Sequence, residues 1–138
     1  MIKRLTSWQV QRELDHEEAV QRWLTRHVPL VLAVPGVQAY VQNRCIPALD
    51  GADPPYAGLG EVWFESREAA AAATQSPEWS AVIADAREFM DMSTIVVAWA
   101  EEHPASAQRR DPFMRKSRSL WLRRIRPLHL AFSRLLKA

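Results

Sequence analysis

At 138 residues, with 48% apolar side chains and a formal net charge of +2, the chain is sized for one globular domain and is too apolar to be disordered. It contains no run of eighteen apolar residues, so no membrane-spanning helix is expected, and its single cysteine, Cys45, excludes an internal disulfide and a cysteine-based metal cluster. The charge is divided: residues 1–103 hold eight Lys and Arg against fifteen Asp and Glu, whereas residues 104–138 hold ten against one.

An acidic body, 1–103, and a basic arm, 104–138, are therefore expected, with the boundary at Glu101-Glu102-His103-Pro104. The start, Met1-Ile2-Lys3-Arg4-Leu5, mixes charged residues into what would be the apolar block of a signal peptide. Together with the lone thiol this sets a cytoplasmic location as the expectation.

Ile2 to Val10 reads as a first strand, with Ile2, Arg4, Thr6, Trp8 and Val10 on one side and Lys3, Leu5, Ser7 and Gln9 on the other. Asp15 is placed to cap a helix, with Glu18 three positions on completing a capping box. Val20, Trp23, Leu24 and His27 then recur at helical spacing, which puts His27 on the buried stripe. Pro29 disfavours helix at Val28 and is suited to begin a short turn over Leu30 to Leu32, after which Pro35-Gly36 reverses the chain.

Val37 to Arg44 reads as the second strand: Val37, Ala39, Val41 and Asn43 on one side, Gln38, Tyr40, Gln42 and Arg44 on the other. The first side looks suited to helix packing, which would send Tyr40 toward a dimer interior. Ile46 to Gly58 is rich in turn formers and reads as a loop, and Leu59 to Glu65 as the third strand. Ser66 caps a second helix through the alanine run 69–73, and Ser76-Pro77-Glu78 starts a third with the stripe Trp79, Val82, Ile83, Ala86, Phe89, Met90. Thr94 to Ala100 is almost wholly apolar and reads as a central fourth strand.

Counting the two adjacent short helices as one connection, the order is strand, helix, strand, strand, helix, strand. That is the α+β, ferredoxin-like pattern: a four-stranded antiparallel sheet with helices on one face. The other face would be bare, with Trp8, Trp63 and Trp99 as candidates for it, so a homodimer closed sheet to sheet is expected.

The chain resembles the EthD-like family of dimeric α+β barrel proteins. The resemblance is carried by Asp15-His16-Glu17-Glu18 running into Trp23, by His27-Val28-Pro29-Leu30, by Pro35-Gly36-Val37-Gln38-Ala39-Tyr40-Val41-Gln42-Asn43, by Glu61-Val62-Trp63-Phe64-Glu65-Ser66, and more loosely by Ser76-Pro77-Glu78-Trp79 with Asp85 and Phe89. It implies a dimer with small hydrophobic pockets between sheet and helices. It also implies a role of the kind relatives have in degradation of an ether fuel additive, or in decarboxylation, dehydration or cyclisation of polyketide-like aromatics. The chain departs from the family at Ala57-Gly58, where relatives often place an acid-glycine pair, and in its basic tail.

Candidate chemistry centres on His27, which titrates near neutrality and is suited to general acid–base work on a phenol or enol. It also reads as a ligand contact, and first of all as a core histidine satisfied by neighbouring carbonyl, carboxylate or hydroxyl groups. Tyr40 is the second catalytic candidate, with an interface aromatic as the alternative. Trp23, Leu30, Asn43, Glu61, Trp63, Asp85 and Phe89 are candidate ligand contacts, the ligand being a small hydrophobic or aromatic molecule.

The four histidines have no metal-ligand spacing and the four glycines form no phosphate loop, so neither metal nor cofactor is expected. In the tail, Trp121, Ile125, Leu128, Phe132 and Leu135 form an apolar seam amid basic residues, interrupted by Pro127. That tail is suited to docking on the acidic body, on an anionic membrane or on nucleic acid. Two functions compete: binding of a small metabolite, with acid–base turnover at His27, and a non-catalytic dimeric interaction protein that acts through its tail.

Overall fold

The computed structural model describes residues 1–103. The elements are β1 (Ile2–Val10), α1 (His16–Thr25), α2 (His27–Leu32), β2 (Val37–Arg44), β3 (Gly58–Phe64), α3 (Arg67–Thr74), α4 (Pro77–Ala86) and β4 (Met90–Glu101). The strands form one sheet in the order β2-β3-β1-β4, every neighbouring pair antiparallel. This is the ferredoxin-like architecture expected. The expected helical tail and its apolar seam lie outside the described residues.

Local chemistry sets the helix starts. The side chains of Asp15, Ser66 and Ser76 accept the N–H groups of Glu18, Ala69 and Trp79, and Pro77 occupies the first turn of α4. At the Pro35-Gly36 turn Gly36 has φ +87°, a conformation that L side chains rarely adopt. The helix at His27 begins two residues before Pro29, so the proline sits within the first turn of α2, where its missing N–H leaves no bond unmade.

Two expectations about facing are overturned. β4 is an edge strand, not a central one, and its apolar residues lie partly open in the protomer, Val96 57% and Trp99 44% exposed. Its apolar run reflects a strand apolar on both faces rather than one flanked on both edges. Trp8 does not lie on the bare face: it is 1% exposed, packed edge-on against Trp23 and Phe89 beneath the helices. Trp99 shares that helix-facing side, 6.0 Å from the Phe64 ring, so of the three tryptophans only Trp63 lies on the open face, with the Lys3 ammonium over its ring.

Two apolar clusters fill the space between sheet and helices. One gathers Trp8, Val20, Trp23, Phe89 and Met90, the other Val31, Val62, Phe64, Trp79 and Val82. β3 makes room for the first cluster by presenting glycine at alternate positions. A Cβ on Gly58 would lie 2.6 Å from Trp23 Cζ3 and 2.9 Å from Trp8 Nε1, both on buried rings that cannot retreat. Gly58→Ala should therefore lower stability by about 1–3 kcal/mol, the range for overpacking a filled core. Denaturant titration checks this; an unchanged midpoint would show that the indoles shift freely.

Candidate functional site

The site begins where α1 passes into α2. His27 is the first residue of α2 and is 4% exposed, directly after Arg26, which caps α1. Its Nδ1 lies 2.8 Å from Oδ2 of Asp85 on α4. The other carboxylate oxygen, Oδ1, accepts from Nη2 of Arg22 on α1 at 2.6 Å. One carboxylate thus ties three helices together. The ring of Phe89 packs edge-on against His27 at 5.6 Å and lies beneath the Arg22 guanidinium.

These contacts set the protonation states. Burial lowers the pKa of His27 below its ordinary 6.5, only partly offset by the hydrogen bond and charge of Asp85. For Asp85, burial pushes upward, but the Arg22 and His27 hydrogen bonds together outweigh it and hold the carboxyl below its usual range. At neutral pH the pair is a carboxylate and a neutral imidazole, with the Nδ1 proton donated to Asp85. Nε2 is then left with its lone pair and, among the described residues, no hydrogen-bond partner.

Tyr40 faces the helices, not the dimer side expected for it. The register of β2 on β3 slips between Val37 and Ala39, pairing Val37 with Phe64 but Ala39 with Trp63. The extra residue, Gln38, breaks the alternation, so Val37, Tyr40 and Gln42 share the helix side while Ala39, Val41 and Asn43 share the open side. The Tyr40 hydroxyl oxygen accepts from Trp23 Nε1 at 2.8 Å and from Gln42 Nε2 at 3.3 Å. Gln42 Nε2 also donates to the Trp23 carbonyl at 2.6 Å. With both contacts arriving as donors, the phenolic proton is left to be donated elsewhere. Burial pushes the Tyr40 pKa up to about 12, so that proton stays in place at neutral pH.

His27 and Tyr40, with ring centroids 6.5 Å apart, both line a cleft of about 100 Å³ at the seam between the two apolar clusters. Trp8, Trp23, Trp79 and Val82 supply much of its wall. A larger groove, about 570 Å³, runs along the loop after β2. It is the weaker candidate: its Arg44 is exposed and already paired with Glu17, leaving no buried polar group to orient a ligand.

The nine expected site residues divide three ways. His27, Tyr40 and Trp23 line the cleft. Asp85 and Phe89 stand behind His27, and Leu30 packs into the second apolar cluster while its neighbour Val31 reaches the cleft. Asn43, Glu61 and Trp63 lie on the open face, where Asn43 donates to Glu61 at 3.0 Å and Lys3 pairs with Glu61 at 2.6 Å. Arg4, Arg22, Gln42 and Trp79 were not anticipated. Arg4 was open to inference from the alternation of β1, which sets it on the same side as Trp8. Among the described residues no group of three or more His, Cys, Asp or Glu is arranged to hold a metal ion, and no helix is long and apolar enough to cross a membrane.

The ferredoxin-like sheet defines the fold class, and beneath its helices lie the Asp-paired His27 and a partly buried Tyr40. Residues 11–93 match the family model described as EthD domain, and the chain belongs to the EthD family. It is 32% identical over 82 residues, 59% of this chain and 79% of the relative, to an uncharacterised 11.0 kDa protein in the thcB-thcC intergenic region of Rhodococcus erythropolis. Its fold is similar to that of an EthD family protein from Bacillus halodurans, with TM-score 0.63 and 21% identity over 75% of this chain and 100% of that one. It is also similar to a dimeric ferredoxin-like protein of unknown function from Thermobifida fusca, with TM-score 0.57 and 15% identity over 73% of this chain and 90% of that one.

The dyad has a measurable signature. Because the folded pKa of His27 lies below the unfolded value, its contribution to stability is fully present above pH about 6.5 and declines as the pH falls through the folded pKa. In an NMR titration the His27 imidazole should titrate below 6.5, and Asp85→Asn should move it lower still by removing the one charge that favours the imidazolium. An upward move on that substitution would contradict the assigned balance.

Proposed function

We propose that the cleft binds a small apolar or aromatic molecule and that His27 acts on it as a general base, with Tyr40 as the hydrogen-bond donor to the oxygen that becomes negative. The observation that carries this is the pairing of two unspent groups on one cleft. The Nδ1 of His27 is engaged by Asp85, and the Tyr40 oxygen has accepted two hydrogen bonds and retains its proton. In such a step His27 Nε2 takes a proton from the carbon next to a carbonyl. The C–H electron pair forms a carbon–carbon double bond as the carbonyl π pair moves to oxygen, which Tyr40 steadies, and the proton is returned to carbon or to a leaving hydroxyl. This is the proton transfer that lyase- and cyclase-type reactions on enolisable substrates require, and it uses no metal or organic cofactor.

A direct test is hydrogen–deuterium exchange at the methyl group of acetophenone in D2O, followed by NMR. Wild type should accelerate exchange over buffer. His27→Gln should lose about 10²-fold or more of that acceleration, and Tyr40→Phe a smaller part, with the melting profile retained. Binding of acetophenone without any His27-dependent exchange would reduce the cleft to a binding site.

The working unit in this proposal is a homodimer formed through the open sheet face, in the cytoplasm, with residues 1–103 as the functional body and 104–138 as a separate basic appendage. The open face supports it: Leu59 and Val96 are both at least 40% exposed there, and Trp63 is only half-buried. Contiguous apolar area of this kind is rarely left uncovered. Val96→Asp should shift the protein from dimer to monomer in sedimentation velocity at micromolar concentration. Retention of the dimer would place the interface elsewhere.

A further inference from the structure

Among the described residues, nothing balances one positive charge at the cleft. Arg4 lies on the helix-facing side of β1, and its guanidinium sits 5.2 Å from the Trp79 ring centroid, with Nη1 donating to Thr6 Oγ1 at 2.5 Å. Both Arg4 and Thr6 line the cleft. Among the described residues Arg4 has no acidic partner: the ion pairs are Lys3–Glu61, Arg22–Asp85, His27–Asp85 and Arg44–Glu17. Burial works against its charge and lowers its pKa, yet arginine remains protonated in proteins. A cation held part-buried without a counter-ion is costly unless something brings one.

The charge count is specific. No Asp or Glu lines the cleft among the described residues, and Asp85, behind His27, is already matched by Arg22. With His27 neutral, the neighbourhood holds Arg22, Arg4 and Asp85, a net of one positive charge. Arg4 has used one N–H on Thr6, and a guanidinium presents five in a planar fork that fits a carboxylate. Thr6 Oγ1 accepts from Arg4, so its own hydroxyl proton is also left to give.

We propose that Arg4, with Thr6 beside it, is the anchor for a carboxylate, so that the natural ligand of this cleft is a small aromatic or apolar monocarboxylate rather than a neutral hydrocarbon or phenol. This rests on the reading of the cleft as a ligand site and narrows it to a substrate class. A single charge suits a carboxylate better than a phosphate ester, whose second charge would go unmatched. The cleft is open to one side and holds about 100 Å³, less than the ~150 Å³ of a closed cavity that holds a benzene. It therefore suits a ligand no larger than about a single ring, part of it lying in the opening. Carboxylate at Arg4 and apolar body among Trp8, Trp79 and Val82 leave His27 and Tyr40 for the reacting end.

Isothermal titration of the full-length protein with benzoate, its neutral isostere benzamide, and phenol tests this, in wild type, Arg4→Met and Arg4→Lys, with thermal melting to verify folding. Wild type should bind benzoate about ten-fold or more tightly than benzamide. Arg4→Met should abolish that preference while leaving phenol binding in place, and Arg4→Lys should keep part of it. The ten basic residues of 104–138 cannot produce a preference that depends on Arg4. If phenol binds but benzoate is not preferred, or is preferred equally in Arg4→Met, the anchor is overturned and the cleft reading stands. If none of the three probes binds, both are overturned. If Arg4→Met fails to fold, Arg4→Lys decides alone: benzoate preference undiminished by the loss of the planar fork overturns the anchor, and a reduced preference supports it.

Discussion

The structure turns on one carboxylate. Asp85 is largely withdrawn from water, with its side chain 13% exposed, and such a group is stable as an anion only if both oxygens are satisfied. Arg22 takes one and His27 the other. Each charge-assisted hydrogen bond is worth about 1.5–3 kcal/mol, enough between them to offset a desolvation cost of several kcal/mol. The consequence is more than stability. Had Asp85 met His27 alone, the buried negative charge would favour the imidazolium. Burial, the largest influence, outweighs that pull, with a smaller contribution from the Arg22 charge, and settles His27 as a neutral base. The same three residues fix the junction of α1 and α2 against α4, so the chemistry of the imidazole and the packing of the helices have a common origin.

Steric exclusions place the rest. The indoles of Trp8 and Trp23 can meet edge-on only because β3 presents no side chain at Gly58, and Tyr40 lies 3.5 Å from where a Cβ on Gly60 would stand. Those absences let Trp23 reach across and donate its N–H to Tyr40. A glycine inside a strand weakens it; here β3 is the second strand of four, braced by β1 and β2, and can carry the loss. The cleft is what remains at the seam where two well-filled apolar clusters meet without merging.

How legible this was depended on the range of the interactions. Helix starts were local, set by Asp15, Ser66 and Ser76 and by Pro77, and the strand alternation of β1 was regular, so these were readable within a few residues. His27 was readable too, because helical spacing from Val20 and Trp23 continues to it through the α1–α2 junction. Tyr40 was placed on the wrong face for a physical reason: apolar Val37, Ala39 and Val41 mimic an inward-facing set, but the bulge at Gln38 separates Val37 from the other two. A bulge is decided by cross-strand pairing with Phe64 and Trp63 and has no local signature. The partners of Asp85 are 58 and 63 positions away, and only the fold brings them together.

The sheet divides its two faces by kind of polarity as much as by burial. On the open face the charges are matched: Lys3 reaches both the Trp63 ring and Glu61, and Asn43 also meets Glu61. Matched charges of this sort can be covered by another apolar surface without leaving an orphan, the requirement an interface sets. On the helix face the polar groups at the cleft are of the opposite kind. His27, Tyr40 and Arg4 each hold their position through one or two bonds and retain a further lone pair or proton. Such incomplete satisfaction is a cost in a core and has a use only where a molecule arrives to complete it.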